Sequence, residues 1–335
     1  MTEPQFSPTP GMVITARNVS KYFSKEIAVN QLNFTIPQGK IIGLIGPSGC
    51  GKTTTVRLLT GIYRPSEGEI QVLGGDPRHF TSSQRERMGY MTQLFTLFPD
   101  LTVRENMDFA SSIYGKGLIR RQKRIKTLLN FVELTENRNK LTRNLSGGMQ
   151  RRLALAATLA HDPDLIFLDE PTAGIDPILR RKFWDHFIEL KNQGKTLLIT
   201  TQYVSEASYC DYVGVMDAGR LIMLEPADQL RQIAFGGEVL DLVTTTAFGP
   251  QGLDAIQALP FIRGQIDQIG RGKYRMTVDE ASRSLPQLMS WLDEQGITVE
   301  KLEPFLPPYD DVFVKVIQDY RDKQATRAEE IGKES

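Results

Sequence analysis

The chain has 335 residues, of which 40% are hydrophobic and 24% charged, a globular composition long enough for one large domain and a smaller one. Forty basic and forty acidic side chains cancel, so the net charge argues neither for wrapping nucleic acid nor for coating an anionic membrane. Two cysteines without a disulfide framework, no signal peptide and no apolar run of about 18 residues argue against a secreted or membrane-spanning chain, so we expect a reduced, cytosolic protein.

The first predicted segment is a disordered tail over residues 1–11, which contains three prolines. From residue 12 to about residue 235, short apolar runs alternate with helical stretches, as in "KIIGLIG" before "KTTTVRLLTG" and "DLIFLDE" before "PILRRKFWDHFIELKNQG". Buried strands that alternate with helices predict an α/β domain with a largely parallel sheet. Strand signals disappear between residues 95 and 161, so we expect a helical subdomain there.

The pattern changes after "FGGE", which we take as the joint to a second domain over residues 236–320, followed by a charged tail over residues 321–335. The second domain is predicted as a strand (Val239 to Thr245), a helix (Leu253 to Leu259), two strands ("IRGQIDQI" and "KYRMTV"), a helix ("LPQLMSWLDEQG"), a strand ("ITVEKLEP") and a closing helix ("DDVFVKVIQDYR"). The β-α-β-β-α-β order is that of a small α+β domain of the ferredoxin-like type.

A phosphate-binding loop is predicted at "GPSGCGKT", because it fits the P-loop spacing and lies between an apolar strand and an amphipathic helix. Glycines let backbone N–H groups turn towards phosphate oxygens, and the helix N-terminus adds its dipole. Lys52 would reach the β- and γ-phosphates of ATP, and the Thr53 hydroxyl would ligate Mg²⁺. Cys50 is expected to be a small filler and not a catalytic thiol. The predicted nucleotide-binding residues here are Gly46, Pro47, Ser48, Gly49, Cys50, Gly51, Lys52, Thr53 and Thr54.

Two adjacent carboxylates end the apolar strand "LIFLDE". Neighbouring strand residues point to opposite sides, so Asp169 can hold the magnesium shell while Glu170 points towards an attacking water. In the helical region that precedes this strand, "NLSGGMQ" starts a helix with Ser146 as a natural N-cap, followed by Gly147 and Gly148. From the residues alone this last feature reads as a capped helix.

Taken with "GPSGCGKT", "LIFLDEPTAGID" and "YMTQ", the "LSGGMQ" stretch resembles the nucleotide-binding subunit of ATP-binding cassette (ABC) transporters over roughly residues 12–235. The resemblance implies a P-loop NTPase fold of ABC type and a head-to-tail dimer, in which each ATP lies between the P-loop of one chain and the "LSGGMQ" of the other. Ser146, Gly147 and Gly148 would then act in trans. It also implies an integral-membrane permease partner and a second ATPase subunit, identical or different.

The same resemblance implies roles for three further residues. Gln93 falls at the glutamine that contacts Mg²⁺ and the attacking water; its alternative is a polar residue that ends a strand. Asp176 matches the aspartate of the loop between the two sites, and it is also a good N-cap because Pro177 follows. Phe23, favoured over Tyr22 by its spacing from the preceding lysine, matches the aromatic that stacks on adenine, although strand-end packing is an alternative.

Gln202 follows "TT" at a position where the family usually has a histidine that senses the γ-phosphate. A glutamine amide can hydrogen-bond to phosphate but cannot carry a proton near neutral pH. With Glu170 as candidate base, we expect ATP hydrolysis that is slower than with histidine. The competing interpretation is a degenerate site that mainly holds ATP in a heterodimer.

"QLFTLFPDLTVREN", "TTQYVSEA" and the small second domain resemble the ABC-2-type exporters, which have separate ATPase and permease chains. The permease groove is expected beside Gln93, within residues 95–100, at the cytoplasmic face of the cell membrane. The second domain is expected to stabilise the dimer. The alternatives are an ABC ATPase that acts on ribosomes or DNA, and a P-loop kinase.

No nucleic-acid partner is expected, because the basic run "RRQKRIK" has no interleaved aromatics and reads as a solvated helix face. His79, His161 and His186 have no metal-ligand spacing with each other or with cysteine, so no structural metal is predicted.

Overall fold

The computed structural model describes residues 11–24, 26–94, 96–113 and 118–334, so residues 1–10 of the predicted tail lie outside the described residues. The chain divides into two units, the first ending at Leu224 and the second beginning at Glu225. Phe95, at the predicted start of the helical subdomain, and Ser335, at the end of the predicted charged tail, are also outside the described residues.

The first unit is built from strands and helices that alternate along most of its length. Its strands are β1 (Met12–Phe23), β2 (Glu26–Pro37), β3 (Ile41–Ile45), β4 (Glu67–Val72), β5 (Met88–Met91), β6 (Leu165–Asp169), β7 (Thr196–Thr201), β8 (Tyr212–Asp217) and β9 (Arg220–Pro226). Its helices are α1 (Lys52–Leu59), α2 (Ser82–Glu86), α3 (Val103–Ser112), α4 (Leu118–Phe131), α5 (Gly147–Thr158) and α6 (Pro177–Asn192).

The main sheet has six strands in the order β5-β6-β7-β3-β8-β9, and the pairs from β5 through β8 are parallel. Every residue of β3, β6 and β7 is buried, as expected for central strands of a parallel sheet that is covered on both faces. Because these strands are parallel, the segments that follow β3, β5, β6 and β7 leave the sheet at the same edge. The P-loop, Gln93, Glu170 and Gln202 therefore occupy one edge.

A second sheet, antiparallel and in the order β2-β1-β4, also belongs to the first unit. The alternation of apolar runs and helices predicts a largely parallel core and carries no signal for this antiparallel sheet. Its buried residues, such as Ile14 and Val29, join the same apolar cluster as α1 and the main sheet. The sheet ends β1 at Phe23, which gives that aromatic its place at a strand end.

Helices α3, α4 and α5 lie between β5 and β6, and the described residues 92–164 contain no strand. Helix α3 begins with a capping box, in which the Thr102 side chain accepts from the Glu105 N–H and the Glu105 carboxylate accepts from the Thr102 N–H. Along the part of the chain that the structure describes, no helix has both the length and the apolar character needed to cross a membrane.

The second unit consists of a four-stranded antiparallel sheet and four helices. Its elements are α7 (Leu230–Phe235), β10 (Glu238–Thr244), α8 (Pro250–Gln257), β11 (Ile262–Gly270), β12 (Lys273–Val278), α9 (Ala281–Glu294), β13 (Val299–Phe305) and α10 (Tyr309–Glu334). The strand order is β11-β12-β10-β13. Leu240, Leu242 and Tyr274 on the sheet pack with Leu288 and Leu292 of α9 in one apolar core.

The joint between the units lies before α7, whereas the sequence analysis places it after this helix. Helix α7 packs with the second unit, because Arg231 donates to the Pro307 carbonyl at 2.8 Å and stacks over the Tyr309 ring. The closing helix α10 also continues to Glu334, so the segment assigned to a charged tail is helical through that residue.

Candidate nucleotide-binding site

The P-loop joins β3 to α1, and its glycines are placed where a side chain would collide with backbone. A Cβ on Gly46 would lie 2.3 Å from the Met216 carbonyl oxygen, and one on Gly51 would lie 2.5 Å from the Ala28 carbonyl oxygen. Gly51 also has a φ of 105°, a left-handed conformation that disfavours other residues. It caps α1 without a side-chain hydrogen bond, which leaves the first N–H groups of the helix for a ligand.

Lys52 lies beneath the loop and is only 4% exposed. Its Nζ donates to the carbonyl oxygens of Gly46 at 2.8 Å and Pro47 at 2.9 Å. The outer residues of the loop, Pro47, Ser48 and Gly49, are exposed. A buried ammonium group below an open loop is the arrangement that an anionic phosphate chain requires.

Cys50 is buried within the loop, and burial raises the pKa of its thiol, although the nearby Lys52 ammonium opposes this shift. The thiol is therefore protonated near neutral pH and is a poor nucleophile. Thr54 is half-buried on α1, beside Thr53.

Asp169 at the end of β6 connects three strands or helices. Its Oδ1 accepts from the Thr53 hydroxyl at 3.0 Å and from the Thr200 hydroxyl at 2.6 Å. The carboxylate is 1% exposed, and its Oδ2 has no hydrogen-bond partner among the described residues. A buried carboxylate oxygen without a donor, next to a hydroxyl, fits a hard cation such as Mg²⁺. The sequence analysis missed Thr200, whose signal was its position on the strand that pairs with β6.

Glu170 follows with a φ of 50°, a left-handed conformation that costs a non-glycine residue roughly 1–2 kcal/mol. Its N–H group donates to the backbone oxygen of Thr200 at 3.1 Å and to the hydroxyl of the same residue at 3.0 Å. Its Oε2 accepts from Gln93 Nε2 at 3.0 Å. The turn after β6 is therefore strained, and it presents the carboxylate next to the amide of Gln93.

Arg151 on α5 holds the other side of this turn, and the sequence analysis did not identify it. Its guanidinium donates at 2.6 Å to the carbonyl oxygens of both Glu170 and Ala173, and the side chain is 8% exposed. Burial lowers the pKa of Arg151, and the Glu170 charge opposes this shift. Its signal in the sequence was an arginine within the first turns of the helix that Ser146 caps. The helix that begins at "LSGGMQ" is thus tied to the turn that carries Glu170.

Gln202 follows β7, and its exposed amide makes no hydrogen bond within the described part of the chain. Ser146 and Gly147 are exposed at the start of α5, where the Ser146 hydroxyl accepts from the Met149 N–H at 3.3 Å. Gly148 is half-buried, and a Cβ at this position would lie 3.5 Å from the Leu179 side chain, an ordinary van der Waals contact. These groups are not joined by hydrogen bonds to the P-loop of their own chain among the described residues.

Asp176 caps α6, since its Oδ1 accepts from the N–H groups of Ile178 at 3.0 Å and Leu179 at 2.9 Å. Phe23 is 40% exposed and packs edge-on against Tyr63, with the ring centroids 5.3 Å apart. The neighbouring Tyr22 donates its hydroxyl to Glu67 at 3.0 Å. Of the two candidate aromatics, Tyr22 is held by this hydrogen bond, whereas the ring of Phe23 makes none.

A strand, a glycine-rich loop and a helix define a P-loop nucleoside-triphosphate-binding protein when the P-loop threonine bonds to a carboxylate from the same sheet, here Asp169 of β6, which β7 separates from β3. The family model described as "ABC transporter" matches residues 29–173. The daunorubicin resistance ATP-binding protein DrrA3 of Streptomyces coeruleorubidus is 35% identical over 309 residues, which cover 92% of this chain and 96% of that protein. The chain therefore belongs to the ABC transporter family, as an ATP-binding subunit.

Other relatives give the same assignment. The Nod factor export ATP-binding protein I of Burkholderia lata is 38% identical over 234 residues, covering 70% of this chain and 77% of that one. The probable multidrug ABC transporter ATP-binding protein YbhF of Escherichia coli is 38% identical over 241 residues. The match to YbhF spans 72% of this chain but only 42% of that protein, so less than half of its length is matched. The family resemblance inferred from the motifs is confirmed.

Solved structures confirm the α/β fold of the first unit. The structure of an ATP-binding subunit of an ABC transporter aligns with a TM-score of 0.61 at 23% identity, over 66% of this chain and 92% of that one. The ATP-binding cassette MJ0796, in a dimeric post-hydrolysis state bound to ADP and Pi, aligns with a TM-score of 0.59 at 27% identity, over 64% of this chain and 98% of that one. YbhF and the Nod factor protein are named for transport or export and DrrA3 for daunorubicin resistance, and these names give no support to an action on ribosomes or DNA or to a P-loop kinase.

Proposed function

We propose that this chain binds and hydrolyses ATP as the ATPase subunit of an ABC-2-type exporter. The observation that carries the proposal is the pairing, at one sheet edge, of Thr53 with Asp169 and of Gln93 with Glu170. The two pairs place a cation-binding group and a candidate base beside the P-loop. The relatives named for multidrug transport, daunorubicin resistance and Nod factor export support the exporter assignment.

The phosphates of ATP would occupy the P-loop, with Lys52 turning from the carbonyls of Gly46 and Pro47 to the β- and γ-phosphates. Gly49 and Gly51 keep the loop backbone open, and the N-terminus of α1 adds its partial positive charge. The exposed ring of Phe23 would stack on adenine, supported from behind by Tyr63 and by the Lys21 ammonium 5.1 Å from the Phe23 centroid.

Thr53, Asp169 and Gln93 would hold Mg²⁺. The buried Asp169 Oδ2 without a donor supports this donor set, because a cation would complete its coordination. Bound magnesium supplies neutralisation of the charge that develops on the phosphates. The Thr200 hydroxyl, which donates to Asp169 Oδ1 at 2.6 Å, orients this carboxylate.

Glu170 would accept the proton of the attacking water, with Gln93 fixing the carboxylate. Gln202 would donate its amide N–H to the γ-phosphate, but it cannot add a positive charge. We expect slow turnover for this reason. The rival interpretation, a degenerate site that only holds ATP in a heterodimer, predicts that Glu170 makes no difference to turnover.

The exposed Ser146 and Gly147, with the half-buried Gly148, would face the ATP of a second subunit at the start of α5, and Asp176 lies in the segment that would contact it. A free helix N-terminus is an anion receptor, and its own chain offers it no phosphate. The dimeric MJ0796 cassette supports a dimer.

A groove of about 340 Å³ beside Gln93 is the proposed contact for the permease. Phe98 and Phe109 meet edge-to-face across it at 4.7 Å and are each 46% exposed. Asn106, 3% exposed, holds the Phe98 backbone by accepting from its N–H at 2.9 Å and donating to its oxygen at 3.0 Å. Exposed apolar rings on a fixed backbone suit a protein partner at the cytoplasmic face of the cell membrane, and no nucleic-acid partner is needed.

We further propose that the second unit is ferredoxin-like and stabilises the dimer. The β-α-β-β-α-β order and the strand order β11-β12-β10-β13 support the topology. Truncation between β9 and α7, which removes every helix and strand from α7 onwards, tests the role, and sedimentation velocity in ATP under conditions without hydrolysis is the measurement. Dimerisation of the truncated chain at the concentration that suffices for the full chain contradicts the proposal.

The central test is the steady-state Mg-ATPase of the full chain with Glu170→Gln and Gln202→His. We expect Glu170→Gln to lower kcat by about 10²-fold or more and Gln202→His to raise it severalfold. Unchanged turnover in Glu170→Gln would show that this site does not hydrolyse ATP. Mass spectrometry of proteins that copurify with the tagged chain in mild detergent tests the partner, and a stoichiometric polytopic protein is the expected result.

A further inference from the structure

One side chain, Arg180, contacts both of the loops that carry Asp176 and Gln202. It lies on the first turn of α6, where its N–H donates to the Asp176 carbonyl at 2.9 Å. Its guanidinium Nη2 donates to the Ile175 carbonyl at 3.5 Å, and its Cζ lies 3.8 Å from the centroid of the Tyr203 ring. Tyr203 directly follows Gln202. Arg180 therefore links the loop before α6 with the loop after β7.

Glu206 completes this cluster from the short 3₁₀ turn Val204–Tyr209. Its carboxylate is 1% exposed and lies 3.7 Å from Arg180 Nε. Neither carboxylate oxygen has a hydrogen-bond partner among the described residues, and neither does the buried Nε of Arg180. The Arg180 guanidinium is close enough to balance the charge of the Glu206 carboxylate. The hydrogen bonds that would offset the cost of burying this carboxylate are not made.

The distance shows which motion would close the pair. Charge-assisted N–H···O bonds are about 2.7–2.9 Å long, so an approach of roughly 1 Å between α6 and the turn would form one. One helical turn beyond Arg180, the same two segments are already in firm contact. Trp184 is fully buried and stacks on Tyr209 with the ring centroids 5.0 Å apart. The two segments are thus in ring contact at Trp184, although its Nε1 makes no hydrogen bond among the described residues, whereas the Arg180–Glu206 pair near Gln202 is 3.7 Å apart and not closed.

We propose that Arg180 is a positioning residue for hydrolysis, which acts through Tyr203 and Glu206 to place the Gln202 amide relative to the Asp176 loop. When the Arg180–Glu206 pair closes, it fixes the segment that begins at Gln202. The pair closes only when the Asp176 loop, which Arg180 also contacts, is in the matching position. The inference rests on the role proposed for Gln202. It adds a link within one chain between the two loops.

Arg180→Lys in the full chain is the first test. Lysine keeps the charge near Glu206 but loses the planar stack on Tyr203 and the reach to Ile175. We expect kcat to fall about tenfold with the KM for ATP within about twofold, because the P-loop contacts are untouched. Arg181→Lys is the matched control, since Arg181 is exposed and contacts Tyr209 and Asp185. It is expected to change kcat by less than about twofold.

A double-mutant cycle with Gln202→Ala separates positioning from general support of the fold. If Arg180 acts through Gln202, Arg180→Lys lowers kcat by less than about twofold in the Gln202→Ala background. If Gln202→Ala is slow and the effects of the two substitutions on kcat simply multiply, the inference is wrong, but the proposed role of Gln202 stands. A Gln202→Ala chain with normal kcat overturns the role of Gln202 and the inference together.

The double variant Arg180→Met with Glu206→Gln guards against misfolding, because it removes the buried Glu206 charge together with its half-buried Arg180 partner and roughly keeps the side-chain volumes. Its melting temperature is expected to match that of the unaltered chain within a few degrees. We expect its kcat to be as low as that of Arg180→Lys. Full kcat in this double variant would show that the ion pair is not needed, and the inference would be wrong.

Discussion

The two units of this chain treat their polar groups and their backbone in opposite ways. In the described part of the second unit, no buried side-chain polar atom lacks a hydrogen-bond partner, and every residue with a left-handed φ is a glycine. In the first unit, Asp169, Thr172 and Glu206 keep buried atoms without partners, and Glu170 and Leu73 are among eight non-glycine residues with positive φ. The buried polar atoms described in the second unit already have hydrogen-bond partners, whereas the first unit has buried polar atoms that a ligand or a motion would satisfy.

This difference has a physical meaning because buried unsatisfied groups and strained residues both cost stability. In the first unit they include the candidate cation ligand Asp169, the candidate base Glu170 and the Arg180–Glu206 pair. Others, such as Ser111 and Thr135, lie away from these groups, so unsatisfied atoms do not by themselves define the site. In the second unit Asp241 and Arg275 form two hydrogen bonds of 2.8 and 2.9 Å, and Arg275 also stacks on Phe305.

The largest expected effect is that of Glu170→Gly, which removes the candidate base and the backbone strain together. Turnover is expected to fall by about 10²–10⁴-fold, while the free energy of unfolding without nucleotide rises by about 1 kcal/mol. Steady-state ATPase and urea denaturation measure the two effects. In a Trp291→Phe background, the fluorescence of Trp184 reports on the first unit alone.

Ala218→Gly is the control for this prediction, because Ala218 is exposed and has a φ of 46°. It is expected to give a similar gain in stability, of about 1 kcal/mol, with kcat unchanged. A stability gain in Ala218→Gly but none in Glu170→Gly would show that the turn after β6 is not strained by its glutamate.

Asp241→Ala is expected to remove the two hydrogen bonds between Arg275 and the Asp241 carboxylate in the second unit. The variant leaves Arg275 without its bidentate partner and should destabilise this unit by about 1–2 kcal/mol, with kcat unchanged. Hydrogen exchange of β10 and β12, followed by mass spectrometry, localises the loss. Lys301→Ala, which removes an exposed ion pair with Glu303, is the comparison and is expected to cost less than about 1 kcal/mol. Equal costs for the two variants would contradict the prediction.

The smallest expected effect concerns the edge strand β11. The Gln257 side chain donates to the Gly264 carbonyl and accepts from the Ile266 N–H at 3.1 Å, so it covers the open edge of this strand. Gln257→Ala is expected to cost about 0.5–1.5 kcal/mol and to increase self-association, because it exposes backbone groups at a sheet edge. Sedimentation velocity across a concentration series measures the association. A variant that stays in the same state at every concentration would show that the edge is protected in another way.

Much of the candidate site could be placed from the sequence because its motifs are local. The spacing from Gly46 to Thr53 specifies the P-loop, and apolar runs before Glu170 and Gln202 specify the strand ends that carry them. The strand ends meet because parallel strands share one edge, which is a general rule rather than a property of this chain. The antiparallel sheet β2-β1-β4 was not predicted from the sequence, because β1 and β2 each run for 12 residues with irregular register and mixed burial.

The sequence by itself determined the family and the parallel α/β core, and it predicted the residues of the P-loop, because contiguous motifs encode these locally. Only the tertiary structure decided which distant side chains complete them. Asp169 and Thr200 are 31 residues apart, and Arg151 lies 19 residues from Glu170. Strand order and helix packing make these pairs neighbours, and no local pattern records either. The same holds for Arg180 and Glu206, whose unmade bonds are visible only where two segments pack together.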